Sequence, residues 1–177
     1  MNQYLTEEKL EHYLNFIFSE NKWIRDKIVL NSGLKYRPDY YCKELNLIVE
    51  FDGDCFGYKG HYSSIEVIYK DLKKDKRYNE MGIKVIRIPY FVQMSSLVIK
   101  NLFKKDIEIK QTYLHGFIDK DAKLPVDYNE AGIEKFKIDL DKFAYIKNDI
   151  ILSLKNKINE KANIDLVLPK SLQYLVS

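Results

Sequence analysis

Carboxylates gather where two predicted strands end. Asp39 follows Pro38, and Glu50 and Asp52 end the apolar run LIVEFD at 47–52. Side chains alternate along a strand, so Glu50 and Asp52 are expected on one face. Burying two adjacent carboxylates is costly unless a cation neutralises them. Asp39 adds a third oxygen if the strand register allows it, and hard oxygen ligands of this kind favour Mg²⁺ or Mn²⁺ over Zn²⁺.

A charged helix is predicted after these strands. It starts at Ser63 or Ser64 and runs to about Met81. Asp71 and Asp75 are four residues apart and therefore share a helix face. Around them lies a run of basic residues: Lys70, Lys73, Lys74, Lys76 and Arg77. Such runs are usually a solvated face with i,i+4 pairing, and less often a stripe of contacts to DNA phosphates.

Five elements must position these side chains. The sequence predicts a helix over 6–20, a strand over 36–42, a strand over 47–52, a helix over 63–81 and a strand over 83–88. The two neighbouring strands form an antiparallel pair. A strand–helix–strand unit of this length favours a parallel pair with a right-handed crossover. The expected fold is therefore α/β, an α-β-β-α-β core with a mixed sheet flanked by helices.

The rest of the chain has weaker signals. Residues 111–133 are predicted to be loop-rich, 140–158 to be a helix, and 165–168 to be a final strand or tail. No repeat or linker separates this part from the core. We therefore predict one domain, with a core at 1–110 and an α-rich C-terminal elaboration at 111–177 packed on it.

Composition excludes several classes of protein. The 177 residues are 46% hydrophobic and 31% charged, which favours a folded domain over a disordered chain. No apolar run approaches the ~18 residues of a membrane span, and residues 1–10 lack the apolar segment of a secretory signal. Cys42 and Cys55 have neither disulfide-framework nor zinc-motif spacing, so a reducing, cytoplasmic compartment is expected. The net charge of +3 is only a weak indication of anionic partners.

Five pieces of sequence in a fixed order resemble a known enzyme family. They are RPDYY at 37–41, LIVEFDG at 47–53, His61, Asp71 with Asp75, and GIKVIR at 82–87. This order resembles the PD-(D/E)xK nuclease superfamily. It is most similar to the branch with very-short-patch-repair-type endonucleases and related restriction and homing enzymes. The resemblance covers roughly residues 8–90, and no motif places residues 91–177.

The resemblance implies a restriction-endonuclease-like core and a Mg²⁺-dependent DNA endonuclease in which Mn²⁺ can substitute. It implies restriction, homing or repair chemistry on phosphodiester bonds, with DNA as the partner, no membrane role, and a homodimer left open. The metal ligands it implies are Asp39, Glu50 and Asp52. Glu11, in an E-x-x-L pattern with Leu14, is preferred over Glu8. The implied catalytic set is Asp39, Glu50, Asp52, His61, Glu11 and Asp75, with Lys59 and Lys74 as the DNA contacts.

One position departs from the superfamily pattern. Asp52 stands where the family has the Lys of its (D/E)xK pair. His61, with an ordinary pKa near ~6.5, is expected to act as a base or to contact the phosphate. Alternatively, Lys70 or Lys74 reaches in from the helix. The departure keeps open a non-cutting nucleic-acid-binding protein with a degenerate nuclease fold.

Plainer interpretations also stand beside these. Asp39 after Pro38 is a common turn pattern, and Glu50 to Asp52 is also what an ordinary strand end looks like. His61 alone is as consistent with a surface residue as with a catalytic group. A third class of function is an α/β domain whose acidic cluster binds a cation for structural reasons.

Overall fold

A four-stranded mixed sheet forms the centre of the part of the protein that the structure describes. The computed structural model describes residues 5–29, 31–53, 60–109 and 124–177. The strands are β1 (Ile24–Arg25), β2 (Tyr40–Cys42), β3 (Leu47–Asp52) and β4 (Lys84–Pro89), in spatial order β1-β2-β3-β4. The pairs β1/β2 and β2/β3 are antiparallel, whereas β3/β4 is parallel. The predicted α/β class with a mixed sheet is therefore confirmed.

Helices flank this sheet. They are α1 (Glu7–Ile17), α2 (Ile65–Glu80), α3 (Ser96–Phe103), α4 (Glu130–Lys142) and α5 (Lys147–Lys161). Side-chain oxygens of Thr6, Ser64, Ser95 and Asn129 accept amide hydrogen bonds at the starts of α1 to α4. These caps satisfy amides that have no partner within the helix. Within the described residues no helix has the length and apolar character to cross a bilayer.

The two faces of the sheet have different chemistry. On one face, Leu47, Val49 and Phe51 of β3 join the main apolar core, together with residues of α1, α3, α4 and α5. The other face carries Ile48, Glu50 and Asp52, because side chains alternate along the strand. Only a small apolar cluster lies there, in which Ile48 packs with Tyr78 of α2. The polar part of β3 therefore faces α2.

The prediction for the first ninety residues is close to the structure. Strand β3 has the predicted bounds, and β4 lies parallel to it as expected. Strand β2 begins only at Tyr40, since Pro38 has no N–H to donate to a ladder. Strand β1 was not predicted, because two residues are too short to show any periodicity.

The C-terminal prediction was wrong in two places. The single helix expected over 140–158 is two helices, separated by a 3₁₀ turn at Ala144–Ile146, and α4 already starts at Glu130. Residues 165–168 form no strand, and a 3₁₀ turn occupies Ile164–Leu166. Apolar packing decides these boundaries, because Phe136, Leu140 and Ile150 all enter the main core. Residues 110–123 of the predicted loop lie outside the described residues.

Candidate functional site

Asp39 and Glu50 meet across strands β2 and β3. The register pairs Tyr40 with Val49, so Asp39, one position earlier, lies opposite Glu50. The Asp39 amide donates to Glu50 Oε2 at 3.5 Å, and Asp39 Oδ2 accepts from the Phe51 amide at 2.7 Å. Glu50 is only 3% exposed. The fold therefore brings together two of the predicted metal ligands.

The electrostatics of this pair show excess negative charge. Burial, followed by the charge of Glu50, raises the pKa of Asp39 to about 7, although the Phe51 amide opposes the shift. Burial also raises the pKa of Glu50, while Lys74 and Arg87 partly offset it. A buried and a half-buried carboxylate whose pKa values are both raised are stabilised by an added cation. Their oxygen donors are of the kind that Mg²⁺ and Mn²⁺ prefer.

Lys74 supplies a positive charge beside Glu50. Its Nζ lies 3.0 Å from Glu50 Oε1 and 3.7 Å from Asp71 Oδ1, and its side chain is 9% exposed. Lys70, one turn earlier on α2, is exposed and its Nζ lies over the Tyr36 ring at 4.4 Å. Of the two lysines considered from the sequence, Lys74 is the one next to the carboxylate pair.

Asp52 is fully buried and ion-paired with protein cations. Its Oδ1 accepts from Arg87 at 2.6 Å and its Oδ2 from Lys135 at 2.8 Å. Burial opposes ionisation, but Arg87, Lys135 and His61 outweigh it and hold the pKa of Asp52 well below its usual range. Asp52 was expected to share a metal ion with Asp39 and Glu50, and in the structure both of its oxygens accept from protein cations.

His61 lies between two acidic side chains. Its Nδ1 is 2.7 Å from Asp71 Oδ2 and 3.6 Å from Asp52 Oδ1. Burial alone would lower the pKa of His61, but the hydrogen bond to Asp71 and the two carboxylate charges raise it. The imidazole is therefore charged at higher pH than an ordinary histidine. At a given pH, a smaller fraction of His61 is therefore in the unprotonated form that could accept a proton.

Asp52, His61 and Asp71 could also be considered as a metal site. Each offers a ligand atom, and these atoms lie within 4.8 Å of one another. The guanidinium of Arg87, however, lies 2.6 Å from Asp52 and 3.3 Å from Asp71. A dication among these residues would compete with Arg87 for both carboxylates and with Lys135 for Asp52, whereas Lys74 is the cation that contacts the Asp39 and Glu50 pair. We therefore favour Asp39 and Glu50 as the metal ligands.

Asp75 contacts the site through Arg87. Its two oxygens accept from Nε and Nη2 of Arg87 at 2.7 and 2.8 Å. Such a bidentate pair fixes the plane of the guanidinium. Asp75 thus orients the arginine that binds Asp52. The structure places it behind Arg87, away from the Asp39 and Glu50 pair.

Helix α1 places both Glu7 and Glu11, the glutamate chosen by motif, beside Arg25. Glu11 Oε2 lies 3.7 Å from Arg25 Nη1, and Glu7 Oε1 lies 2.7 Å from Arg25 Nη2. Glu7 contributes to the raised pKa of Asp39, and its carbonyl accepts from the Tyr40 hydroxyl at 2.7 Å. Sequence spacing cannot separate two residues one helical turn apart.

The predicted DNA contact Lys59 lies outside the described residues.

Sequence reasoning missed Lys135 and the role of Arg87. Arg87 was visible only as part of the strand motif, although it contacts three acidic residues of the site. Lys135 comes from α4, in a region without any motif, and its spacing to Asp139 is that of an ordinary surface ion pair.

Comparisons with protein-family models, with curated proteins and with solved structures found no match.

Proposed function

We propose that this protein is a metal-dependent phosphodiester hydrolase that cuts DNA, built on a restriction-endonuclease-like core of the PD-(D/E)xK type. The observation that carries the proposal is the group formed by Asp39, Glu50 and Lys74. A buried carboxylate on β3 and a half-buried carboxylate just before β2 lie beside a lysine whose Nζ is 3.0 Å from Glu50. Lys74 would replace the lysine that the family has at the position of Asp52.

The residues have distinct roles in this proposal. Asp39 and Glu50 would hold Mg²⁺, for which Mn²⁺ can substitute. The ion would supply Lewis-acid chemistry to the scissile phosphate and to the attacking water. The ammonium of Lys74 stabilises the extra negative charge that develops on the phosphate.

His61 is assigned to the phosphate rather than to proton abstraction. Its raised pKa favours the charged imidazolium, which donates hydrogen bonds and cannot accept a proton. Asp71 engages Nδ1 at 2.7 Å, so Nε2 is the ring atom left for substrate. Of the two roles expected from the sequence, base or phosphate contact, this arrangement supports the second.

Exposed basic residues near Asp39 support a polyanionic substrate. Lys35 and Arg37 are exposed and lie in the short segment before Pro38 and Asp39. Lys70 is also exposed, and its position over the Tyr36 ring connects this segment to α2. Basic side chains bordering a phosphodiester site supply the salt-dependent part of nucleic-acid affinity.

A cleavage assay with matched variants tests the proposal. Plasmid, linear duplex and single-stranded DNA are incubated with the protein and Mg²⁺, with and without chelator. We expect cleavage that the chelator abolishes, and a loss of roughly 10² or more in rate for Asp39→Asn, Glu50→Gln and Lys74→Met. The control variants Glu80→Gln and Lys76→Met change exposed residues of α2, the helix that carries Lys74, and should cut at the wild-type rate. Cleavage by Asp39→Asn at the wild-type rate would exclude the assigned site.

A second candidate is a protein that binds nucleic acid without cutting it. The ion pairing of Asp52 with both Arg87 and Lys135 favours it, because this part of the site is already neutralised. DNA binding at low salt without cleavage in Mg²⁺ or Mn²⁺ would identify this second function. Absence of any DNA affinity at low salt would favour a purely structural cation site.

A further inference from the structure

Helix α4 packs directly on the turn that carries His61. Gly132 of α4 touches this turn so closely that a Cβ there would overlap the carbonyl oxygen of Tyr62. Asn129 caps α4 by accepting from the Gly132 amide at 2.9 Å, and its Nδ2 donates to the Ser63 carbonyl at 2.9 Å. The C-terminal part of the chain is therefore in contact with Tyr62 and Ser63, the two residues that follow His61.

Lys135 extends this contact into the charged network. Its Nζ donates to Asp52 Oδ2 at 2.8 Å and to Asp139 Oδ2 at 2.6 Å. It also lies over the Tyr62 ring, 4.3 Å from the centroid. The Tyr62 hydroxyl donates to the same Asp139 oxygen at 3.0 Å. One ammonium thus joins β3, the His61 turn and α4.

The distribution of charge shows why Lys135 does more than anchor a helix. Asp139 has a second cation, Lys142, which is 2.9 Å from its other oxygen and 62% exposed. The Asp52 Oδ2 atom has Lys135, while Arg87 binds only Oδ1. Without Lys135, one oxygen of a fully buried carboxylate would lose its cation. Arg87 would then hold Asp52 through Oδ1 only, and this oxygen lies 3.6 Å from His61 Nδ1.

We infer that Lys135 is a positioning residue for the proposed reaction: through Asp52 and the Tyr62 ring it holds His61 in the orientation that faces the substrate phosphate. The inference rests on the proposed function. It also makes α4 a part of the site, although no motif connects that helix with phosphodiester chemistry. Lys135 itself need not touch the substrate.

The test compares Lys135→Met with Lys135→Arg and with the control Lys142→Met, whose lysine binds Asp139 but not Asp52. Two quantities are measured: kcat and KM for DNA cleavage in Mg²⁺, and amide hydrogen exchange of residues 61–64. We expect Lys135→Met to lower kcat about 10-fold or more at nearly constant KM, as loss of an orienting partner does. Exchange at 61–64 should accelerate. Lys135→Arg should recover most of kcat, and Lys142→Met should behave like wild type.

Several outcomes would overturn the inference. Equal kcat values for Lys135→Met and Lys142→Met would do so, as would a loss confined to KM. If Lys135→Met does not fold, Lys135→Gln, which keeps a donor without the charge, is judged by the same criteria. If the wild type cuts no DNA, the proposed function fails. The exchange rates of the two lysine variants then decide on their own whether Lys135 holds the His61 turn.

Discussion

Replacing Lys74 with methionine tests the electrostatics of the site. The Lys74 and Glu50 side chains are 9% and 4% exposed, with Nζ and Oε1 3.0 Å apart. Methionine keeps much of the length and apolar volume of lysine, so the substitution chiefly removes the charge. The buried carboxylate of Glu50 then loses its nearest cation.

The magnitude follows from the distance and the burial. Two unit charges 3.0 Å apart attract each other by about 5 kcal/mol at an effective dielectric constant near 20. Removing one partner of a buried pair typically costs about 3–5 kcal/mol of stability. Arg87 also stabilises the Glu50 carboxylate, and Glu50 can take up a proton. We therefore expect the lower end, about 3 kcal/mol.

Urea unfolding at pH 7.5 in chelator measures this loss, with Trp23, the single tryptophan, as the fluorescent probe. The matched control is Lys73→Met, an exposed lysine on the same helix, which should stay within about 0.5 kcal/mol of wild type. Adding Glu50→Gln to Lys74→Met should restore much of the stability, because no orphaned charge remains.

Two results would refute this reasoning. A loss below about 1 kcal/mol for Lys74→Met would show that the pair is not desolvated. A double variant that is no more stable than Lys74→Met would show that the loss does not come from Glu50.

Lys74→Met also distinguishes a residue that binds the metal from a cation that only assists cleavage. Lys74→Met should bind Mn²⁺ at least as tightly as wild type, since a repelling charge is gone, and still cut DNA slowly.

Three further predictions concern pH, packing and salt. In metal-free protein, the pKa of Asp39 is about 7 when folded and near ~3.9 when unfolded. Its contribution to stability is therefore lost as pH rises through 7. The free energy of unfolding of wild type in urea, relative to that of Asp39→Asn, should decline from pH 5 to 8. Gly132→Ala should cost about 3 kcal/mol or more in the same assay, although helix propensity alone favours alanine by about 1 kcal/mol. Arg37→Gln and Lys70→Gln should each reduce the slope of log affinity for DNA against log salt by about 1.

Each of these has a contrary outcome. A pH-independent difference between wild type and Asp39→Asn would mean that Asp39 is not held at a raised pKa. A Gly132→Ala variant as stable as wild type would show that α4 does not touch Tyr62 so closely. Unchanged salt slopes would place the DNA away from Arg37 and Lys70. The control for the binding assays is Glu108→Gln, a change at an exposed residue far from Arg37 and Lys70 in the sequence.

Local pattern was enough to predict the elements that carry the candidate site. The apolar run at 47–52 predicted β3 with its observed bounds, and the helix predicted from Ser63 or Ser64 to about Met81 is α2 (Ile65–Glu80). Alternation along β3 also placed Glu50 and Asp52 on one face. These features depend on residues close in sequence, so the sequence contains them directly.

The rotation of each helix against the sheet could not be predicted in this way. Lys70 and Lys74 are one turn apart, and only packing decides that Lys74 lies beside Glu50 while Lys70 lies over Tyr36. The same holds for α1, where Glu7 and Glu11 both lie near Arg25 and spacing alone does not distinguish them. Helical spacing gives the relative angle between side chains, but tertiary contacts fix which side faces inward.

The sequence by itself determined the α/β class, the order of the elements α1, β2, β3, α2 and β4, and the carboxylates at the end of β3. Only the tertiary structure decided which cation neutralises which carboxylate. Asp52 binds Lys135, which is 83 residues further along the chain. The physical reason is that Coulomb and hydrogen-bond energies depend on distance in space, and no periodic pattern in the sequence records a contact between two distant segments.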